Sequence, residues 1–291
     1  MNGILLLDKP LGLSSNAALQ RVRRLTGADK AGHVGSLDPL ATGMLPICLG
    51  EATKVAGEIT AARKRYRFSV ALGERTATGD LEGEVVATAP VPRLVASEVE
   101  LVLDRFRGPL AQVPPMYSAL KRDGQPLYKL ARAGHTVERA PRQIEILELQ
   151  LLEVAEGLLT LEALCSKGTY IRVLAEDIAQ ALGSCGHVAA LRRLYVEPFD
   201  HAPMHTLAEV ETACQAGRAP GMIAADAALP GLPAIRLPAE LAGRLAHGQA
   251  VMVAGGAPGG KVRLYDAGGR FMGLGEADAQ GQVRPRRMFT G

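Results

Sequence analysis

An apolar hairpin pattern in the middle of the chain is the strongest constraint on the fold. Two runs of alternating or continuous apolar residues, 144–153 and 159–165, flank the turn signal Glu156-Gly157. Such runs are typical of β-strands, and a short turn between two of them predicts an antiparallel hairpin. The chain must therefore contain a β-sheet, and we expect this hairpin to lie at the centre of it.

Helical periodicity occurs on both sides of the hairpin. Several segments carry apolar residues every three or four positions, and one of them, 171–182, directly follows the second strand. Two helices are predicted to begin with a capping box, Ser97 with Glu100 and Thr206 with Glu209. Shorter runs at 4–7 and from Tyr66 to Leu72 predict further strands. The predicted fold class is α+β.

The last fifth of the chain has a different composition. Pro and Gly recur from 220 to 238, where Pro230 and Pro233 mark the predicted linker, and short strands follow a short helix. We therefore predict a domain at 1–232 and a second one at 233–291. Spacing alone indicates only a small β domain of unknown purpose.

A third region, about 107–142, is rich in Pro, Gly, Lys and Arg and has little apolar periodicity. Tyr117 and Tyr128 lie among its charges. Two interpretations are open: an insertion that covers the core and touches RNA, or a long surface loop with some helix in it.

Composition excludes several classes of protein. Hydrophobic residues make up 47% and charged residues 22% of the chain, which is typical of a globular protein. The amino terminus has no basic segment and its apolar run is short, so we expect neither a signal peptide nor a membrane span, and a cytoplasmic location. The four cysteines form no C-x-x-C pair, and Pro203 separates His201 from His205, so no metal site is predicted.

Positive charge is concentrated locally although the net charge is only +3. Basic clusters occur at 63–67, at Arg192-Arg193 and at 284–287. Each cluster alone is consistent with a solvated basic face, but several clusters interleaved with aromatic residues favour a phosphate backbone as the partner.

The stretch 32–43 places one carboxylate, Asp38, among small turn-forming residues. Gly32, Gly35 and Gly43 allow positive φ, and Pro39 biases Asp38 away from the α region. This pattern predicts a stiff loop that presents Asp38. An Asp-Pro pair that only starts a turn is the alternative that the dipeptide itself allows.

The chain resembles the TruB family of bacterial tRNA pseudouridine-55 synthases. The motif from His33 through Asp38 to Pro46, continuing over 50–54, carries the resemblance. Further matching segments cover most of the chain: 7–10, 64–66, 115–121 and 165–172. The resemblance implies a pseudouridine-synthase core, built on a mixed, largely antiparallel sheet flanked by helices, and a small C-terminal PUA-like β-barrel that binds RNA.

The resemblance also implies a reaction: isomerisation of uridine 55 in the T-loop of tRNA, after the base is flipped out of its stack. No cofactor and no metal is expected. The implied partner is the tRNA T-stem-loop, with no membrane and no required protein partner, and the protein is expected to be a monomer.

The resemblance assigns three catalytic residues. Asp38 is the expected nucleophile, Arg172 is expected to pair with it and lower its pKa, and Tyr66 is expected to stack on the uracil. The implied substrate-binding residues are His33, Tyr170, Leu191, Lys9 and Lys64. On spacing alone, Arg172 could bridge a surface carboxylate, and Tyr170 and Leu191 could be core residues.

Three other functions are compatible with parts of the sequence. A non-catalytic RNA-binding or tRNA-folding protein would keep the surface without the chemistry. A guide-RNA-dependent pseudouridine synthase would share the Asp38 loop, although the matching 115–121 segment favours a stand-alone enzyme. A glycoside hydrolase normally needs two carboxylates, and this loop offers one.

Overall fold

The computed structural model describes residues 1–122, 124–253 and 257–290. Its strands are β1 Gly3–Lys9, β2 Ala31–His33, β3 Ala41–Leu49, β4 Lys64–Leu72, β5 Glu74–Thr76, β6 Val85–Thr88, β7 Gly108–Gln112, β8 Lys121–Arg122, β9 Gln125–Pro126, β10 Arg142–Ala155, β11 Leu158–Cys165, β12 Gly186–Val196, β13 Ala234–Arg236, β14 Val251–Met252, β15 Gly260–Tyr265, β16 Phe271–Ala277 and β17 Gln282–Met288. Its α-helices are α1 Ser15–Thr26, α2 Ala56–Ala61, α3 Ala96–Leu103, α4 Leu127–Arg132, α5 Ile171–Ala181, α6 Leu207–Gln215 and α7 Ala239–Ala246. Short 3-10 helices occur at Gly50–Val55, Asp104–Phe106 and Ala225–Ala228.

The main sheet has the strand order β1-β3-β12-β4-β11-β10-β7, and β2 pairs with β3 beside this path. Among these strands β12 and β3 run parallel, whereas the other neighbours are antiparallel. The predicted α+β fold with a mixed, largely antiparallel sheet is confirmed. The predicted hairpin is β10–β11, but β4 occupies the middle of the sheet, because β12 and β11 pair with its two edges.

Both faces of the sheet are covered near β1 and β3. Leu5 and Leu7 of β1 join a core shared with α1, α3, α5 and α6, whereas Ile4 and Leu6 join a second core on the opposite face. Side chains alternate between faces along a strand, so β1 contributes to both cores. None of the helices in the described residues is both long and apolar enough to span a membrane.

The C-terminal strands form a separate curled sheet with the order β13-β15-β16-β17-β14. A core of its own lies between this sheet and α7. The predicted small β module is thus confirmed, although position 291, the end of the predicted domain, lies outside the described residues. β17 was not predicted, because the segment from Gln282 to Met288 contains three arginines and a proline and has little apolar alternation.

Several polar contacts join the C-terminal sheet to the rest of the chain. The Lys54 Nζ donates a hydrogen bond of 2.7 Å to the Met288 carbonyl, and the Tyr265 hydroxyl donates one of 2.8 Å to the Asp226 carboxylate. Phe271 packs against the second core, so apolar contact accompanies these polar ones.

The two predicted capping boxes have different outcomes. The Thr206–Glu209 capping box is confirmed: the Thr206 hydroxyl accepts the Glu209 N–H at 3.2 Å, and the Glu209 carboxylate accepts the Thr206 N–H at 2.7 Å. The Ser97–Glu100 box is wrong. Glu100 points toward β10 instead, where it accepts the Leu151 N–H at 3.3 Å.

Several boundaries differ from the prediction, and two of these differences lie near the site. β4 begins at Lys64, two residues before Tyr66, because the pairing with β11 already starts there. The predicted insertion begins too early, because Gly108–Gln112 pairs with β10 as the edge strand of the main sheet. The segment outside the sheet is therefore 113–141, with β8, β9 and α4 inside it.

Candidate active site

The loop 34–40 leaves the sheet at a point where β3 changes partners. β12 pairs with β3 at residues 41–43, whereas β2 pairs with it at residues 47–49. The Asp38 carbonyl accepts the Ala41 N–H at 3.0 Å, which closes a turn just before β3. The turn predicted from the Asp-Pro pair is present, and it places the Asp38 side chain at the edge of the sheet.

Hydrogen bonds hold the residues on both sides of Asp38. The buried Ser15 hydroxyl accepts the Leu37 N–H at 2.7 Å and donates to the Leu37 carbonyl at 2.9 Å. On the other side, the Pro39 carbonyl accepts the Gly12 N–H at 2.9 Å. The predicted stiff loop is therefore tied to the start of α1 and to the loop before it.

Two of the three glycines that allow positive φ adopt it. Gly43 has φ +96°, and a Cβ there would lie 2.1 Å from the Arg193 carbonyl, so only glycine fits. Gly35 has φ +69°, and a Cβ there would lie 3.1 Å from the Arg193 guanidinium. Gly32 instead lies within β2 and pairs with β3, so its predicted turn role is wrong.

The Arg172 guanidinium lies in the first turn of α5 and binds Asp38. Its Nε is 3.0 Å from the Asp38 carboxylate and 3.7 Å from that of Asp80. Its two Nη atoms donate hydrogen bonds of 2.6 Å to the carbonyls of Thr78 and Tyr117. These contacts use the fork of the guanidinium in several directions at once, which fixes its plane.

Asp80 is a second, buried carboxylate beside this guanidinium, and it lies near the same Nε atom as Asp38. Its side chain is only 3% exposed, whereas that of Asp38 is 42% exposed. The Asp80 carboxylate also accepts the Glu82 N–H at 3.1 Å, and the adjacent Leu81 N–H donates to the Val188 carbonyl at 3.2 Å. The turn that carries Asp80 is thus fastened to β12, which places a buried carboxylate beside Arg172.

Arg172 lowers the pKa of Asp38, as expected, but a larger effect outweighs it. Although part of its side chain is exposed, loss of water around the carboxyl raises the pKa of Asp38 above its ordinary value. Arg172 opposes this shift, and the charge of Asp80 adds to it. The net direction is upward, so the ionised form of Asp38 is less favoured than a simple ion pair with Arg172 would make it.

Tyr66 lies on β4 opposite Arg193 on β12. Arg193 is itself buried and donates hydrogen bonds to the carbonyls of Met44 at 2.6 Å and Gly35 at 2.8 Å. Burial raises the pKa of Tyr66, while Arg193 opposes the shift. The phenol is therefore neutral at physiological pH.

The other predicted pocket residues surround this centre. His33 ends β2, and its buried Nδ1 has no hydrogen-bond partner within the described parts of the chain. Burial, followed by the charge of Arg193, lowers the pKa of His33, so its ring is neutral. Leu191 is buried on β12 opposite Phe68, and Tyr170 precedes α5. The Asp38 charge contributes to the raised pKa values of both Tyr66 and Tyr170, so these groups share one site.

Lys9 and Lys64 are both buried beside the site. The Lys9 Nζ donates to the Leu13 carbonyl at 2.6 Å, and the Lys64 Nζ donates to the Thr60 carbonyl at 2.8 Å. Burial lowers the pKa of each lysine to about 8. Both ammonium groups donate hydrogen bonds to main-chain carbonyls and so stabilise the turns next to the site.

The described residues contain no group of three or more His, Cys, Asp or Glu side chains placed to hold a metal ion. Two cysteines are fully buried, and burial raises the pKa of Cys48 to about 12 and that of Cys165 to about 11. Both are thiols rather than thiolates at physiological pH.

Sequence reasoning missed Asp80, Arg193 and Gln112. Asp80 lies in a segment for which no site was predicted, and Arg193 was interpreted only as part of a basic cluster. The Gln112 side chain is buried and bonds to the Tyr170 main chain. Gln112 fell inside the predicted insertion, whose boundary was misplaced, so no local signal marked it.

Family models match most of the chain. The model described as TruB family pseudouridylate synthase, N-terminal domain, matches residues 23–171. A tRNA pseudouridylate synthase B C-terminal domain model matches residues 172–225, and a pseudouridine synthase II TruB C-terminal model matches 233–289. The chain belongs to the TruB family.

Curated relatives of this TruB-family chain match it over nearly its whole length. A tRNA pseudouridine synthase B of Pseudomonas putida (strain GB-1) is 49% identical over 99% of the chain and 96% of the relative. A protein of the same name from Nitrosococcus oceani is 50% identical, over 99% and 95%.

Solved structures of low sequence identity share the fold. The Cbf5-Nop10-Gar1 complex matches with a TM-score of 0.74 at 23% identity, covering 99% of this chain and 84% of that one. A structure titled H/ACA RNP bound to a substrate RNA containing 2'-deoxyuridine matches with a TM-score of 0.75 at 21% identity, over 99% and 85%. At this identity the likeness concerns the fold alone.

Proposed function

We propose that this TruB-family protein converts uridine 55 in the T-loop of tRNA to pseudouridine, with Asp38 as the nucleophile. Family membership and the curated relatives named tRNA pseudouridine synthase B support tRNA as the substrate and uridine isomerisation as the reaction. The observation that carries the assignment of Asp38 is its 3.0 Å contact with a guanidinium fixed by three other groups.

The reaction breaks the bond between N1 of uracil and the ribose, turns the base, and joins C5 to the same ribose carbon. The C5 proton is lost and N1 gains a proton, so atoms balance without a cofactor. Asp38 bonds to the ribose C1′ as the bond to N1 breaks, or to the uracil C6 before that bond breaks, and it is released once C5 joins C1′. Either route requires an ionised carboxylate held in a fixed direction. Arg172 supplies the direction, and the Asp80 carboxylate lies 3.7 Å from the same Nε atom.

Tyr66 is proposed to stack on the flipped uracil and to assist in removing the C5 proton. Because its phenol is neutral at physiological pH, we assign this help to the neutral oxygen rather than to a phenolate. His33, Tyr170 and Leu191 line the pocket around the base, and Lys9 and Lys64 keep its walls in place.

We also propose the region of tRNA on which the enzyme acts, its location and oligomeric state, and the roles of its domains. It acts on the T-stem-loop as a cytoplasmic monomer without a required protein partner. The catalytic domain is 1–232, and the PUA-like domain 233–291 binds RNA. The segment 113–141 covers the bound RNA, since its Tyr117 carbonyl accepts a hydrogen bond from Arg172 beside the nucleophile.

Purified protein incubated with an unmodified tRNA transcript tests this proposal. Mapping pseudouridine by chemical labelling and primer extension should give one new site, at position 55. A transcript with cytidine at this position is the matched control and should give none. Absence of pseudouridine, or its formation at another position, would contradict the proposal.

A further inference from the structure

The Gln112 side chain is bound to the main chain of the residue that precedes α5. Its Oε1 accepts the Tyr170 N–H at 2.8 Å, and its Nε2 donates to the Tyr170 carbonyl at 3.1 Å. Gln112 is only 5% exposed, so the amide exchanges its hydrogen bonds with Tyr170 in a place where water does not compete freely. The Gln112 amide and the Tyr170 main chain thus exchange two hydrogen bonds, as two directly opposite residues do in an antiparallel sheet.

Tyr170 lies at the start of α5. It is the N-cap of the helix and has extended backbone angles, φ −103° and ψ 108°. Its own side chain makes no capping hydrogen bond, so the Gln112 amide fixes the helix start from outside. Arg172 follows only two residues later, in the first turn.

A second contact reaches Arg172 from the same stretch of chain. The Tyr117 carbonyl, five residues after Gln112, accepts a hydrogen bond of 2.6 Å from the Arg172 Nη2. Gln112 at the end of β7 therefore holds the start of α5, and Tyr117 just after β7 holds the guanidinium of Arg172. Both contacts come from one continuous strand end and the turn after it.

We propose that Gln112 is a positioning residue, which sets the start of α5 so that the Arg172 guanidinium meets the Asp38 carboxylate. The inference rests on the proposed function, because it gives Asp38 and Arg172 their catalytic roles. The Gln112 side chain hydrogen-bonds to the main chain of Tyr170 and not to Asp38 or Arg172, so its effect on that pair must pass through Tyr170.

A loosened Arg172 changes the charge balance at Asp38. The charged and titratable groups that act on Asp38 come from several elements: Arg172 of α5, Asp80 and Glu82 of the turn after β5, Lys9 of β1, Tyr66 of β4 and Tyr170 before α5. Arg172 is the strongest of those that favour the ionised form. If its contact weakens, Asp38 should take up a proton at a higher pH than in the wild type.

The first experiment compares Gln112→Met with the wild type under single turnover at saturating tRNA. Met has a similar length and is apolar, so it fills the site while removing both hydrogen bonds. We expect the rate constant to fall about tenfold or more, the loss of roughly one net hydrogen bond from the barrier, with the Kd for tRNA changed less than about threefold. The matched control is Gln143→Met, on neighbouring β10 with an exposed side chain, and it should match the wild type.

The second experiment follows the Asp38 carboxyl directly by 13C NMR titration of the free protein, with Asp38→Asn to identify the resonance. In Gln112→Met the midpoint should move to higher pH, and in Gln143→Met it should not move. This readout does not require activity. If the wild type forms no pseudouridine but the Asp38 midpoint still moves in Gln112→Met, the proposed function is refuted and the positioning role stands.

Three results would overturn the inference: an unchanged rate constant in Gln112→Met, a loss confined to tRNA affinity, or an unmoved Asp38 midpoint. If Gln112→Met does not fold, Gln112→Glu keeps the shape of the side chain and the acceptor for the Tyr170 N–H. Its second oxygen meets the Tyr170 carbonyl instead of donating to it. The same loss of rate at unchanged Kd is expected, and a rate equal to the wild type would overturn the inference.

Discussion

Replacing Arg172 with lysine tests whether the shape of the guanidinium, rather than its charge, organises the active site. The Arg172 guanidinium contacts Asp38 through Nε and the Thr78 and Tyr117 carbonyls through its two Nη atoms. A lysine ammonium is a single point at the end of a flexible chain and cannot reach these three partners together. At least two of the three contacts should be lost.

The expected magnitude follows from the number of contacts. A hydrogen bond from a charged donor contributes about 1.5–3 kcal/mol to stability, so losing two should lower the free energy of unfolding by about 3 kcal/mol. If the same misplacement removes the orientation of Asp38 in the transition state, about 3 kcal/mol on the barrier corresponds to a rate lowered roughly a hundredfold. Binding of tRNA should change little, because the positive charge remains.

Single-turnover pseudouridine formation and urea unfolding measure the two effects on Arg172→Lys. Arg21→Lys is the matched control, since Arg21 is 49% exposed and its only recorded side-chain partner in the described residues is Glu211, at 3.3 Å. That control should keep wild-type rate and stability. If Arg172→Lys stayed within about threefold of the wild-type rate, charge alone would suffice and the geometric argument would fail.

Three further predictions address other parts of the structure. Tyr66→Phe should fold and bind tRNA but release the C5 hydrogen more slowly; tritium release from 5-labelled uridine measures this, and normal release would remove the phenol from proton transfer. Because the pKa of Asp38 is raised, the single-turnover rate should fall with decreasing pH at a higher pH than an ordinary aspartate would give, and a flat profile down to pH ~4 would contradict this. Gly43→Ala should lower the free energy of unfolding by about 3 kcal/mol or more, since it adds left-handed strain and a Cβ against the Arg193 carbonyl; a denaturation midpoint equal to that of the wild type would refute the packing described.

Local patterns predicted the elements whose residues are close in sequence. The β10–β11 hairpin follows from apolar alternation about Gly157, and α5 follows from helical spacing that begins directly after β11. Because hairpin and helix are consecutive, the place of Arg172 in the first turn could be predicted without knowing the rest of the fold. The turn at Asp38 could be predicted for the same reason, since Pro39 restricts it locally.

Contacts between distant segments could not be predicted in this way. Asp80 reaches Arg172 only because its turn is fastened to β12 more than 100 residues later. Gln112 reaches Tyr170 because β7 is the edge strand of the main sheet. The direction of the Asp38 pKa also depends on how much water the assembled site excludes, which a motif does not contain.

The central claim is that Asp38 is the nucleophile, and Asp38→Asn tests it most directly. Asparagine keeps the size and turn preference of aspartate but removes its charge and nearly all of its nucleophilicity. The measurement is pseudouridine at position 55 after a stoichiometric amount of the variant, free of wild-type enzyme, is incubated with tRNA transcript for hours. We expect a folded variant that binds tRNA and forms no detectable pseudouridine, whereas conversion within about tenfold of the wild-type rate would show that Asp38 only shapes the loop.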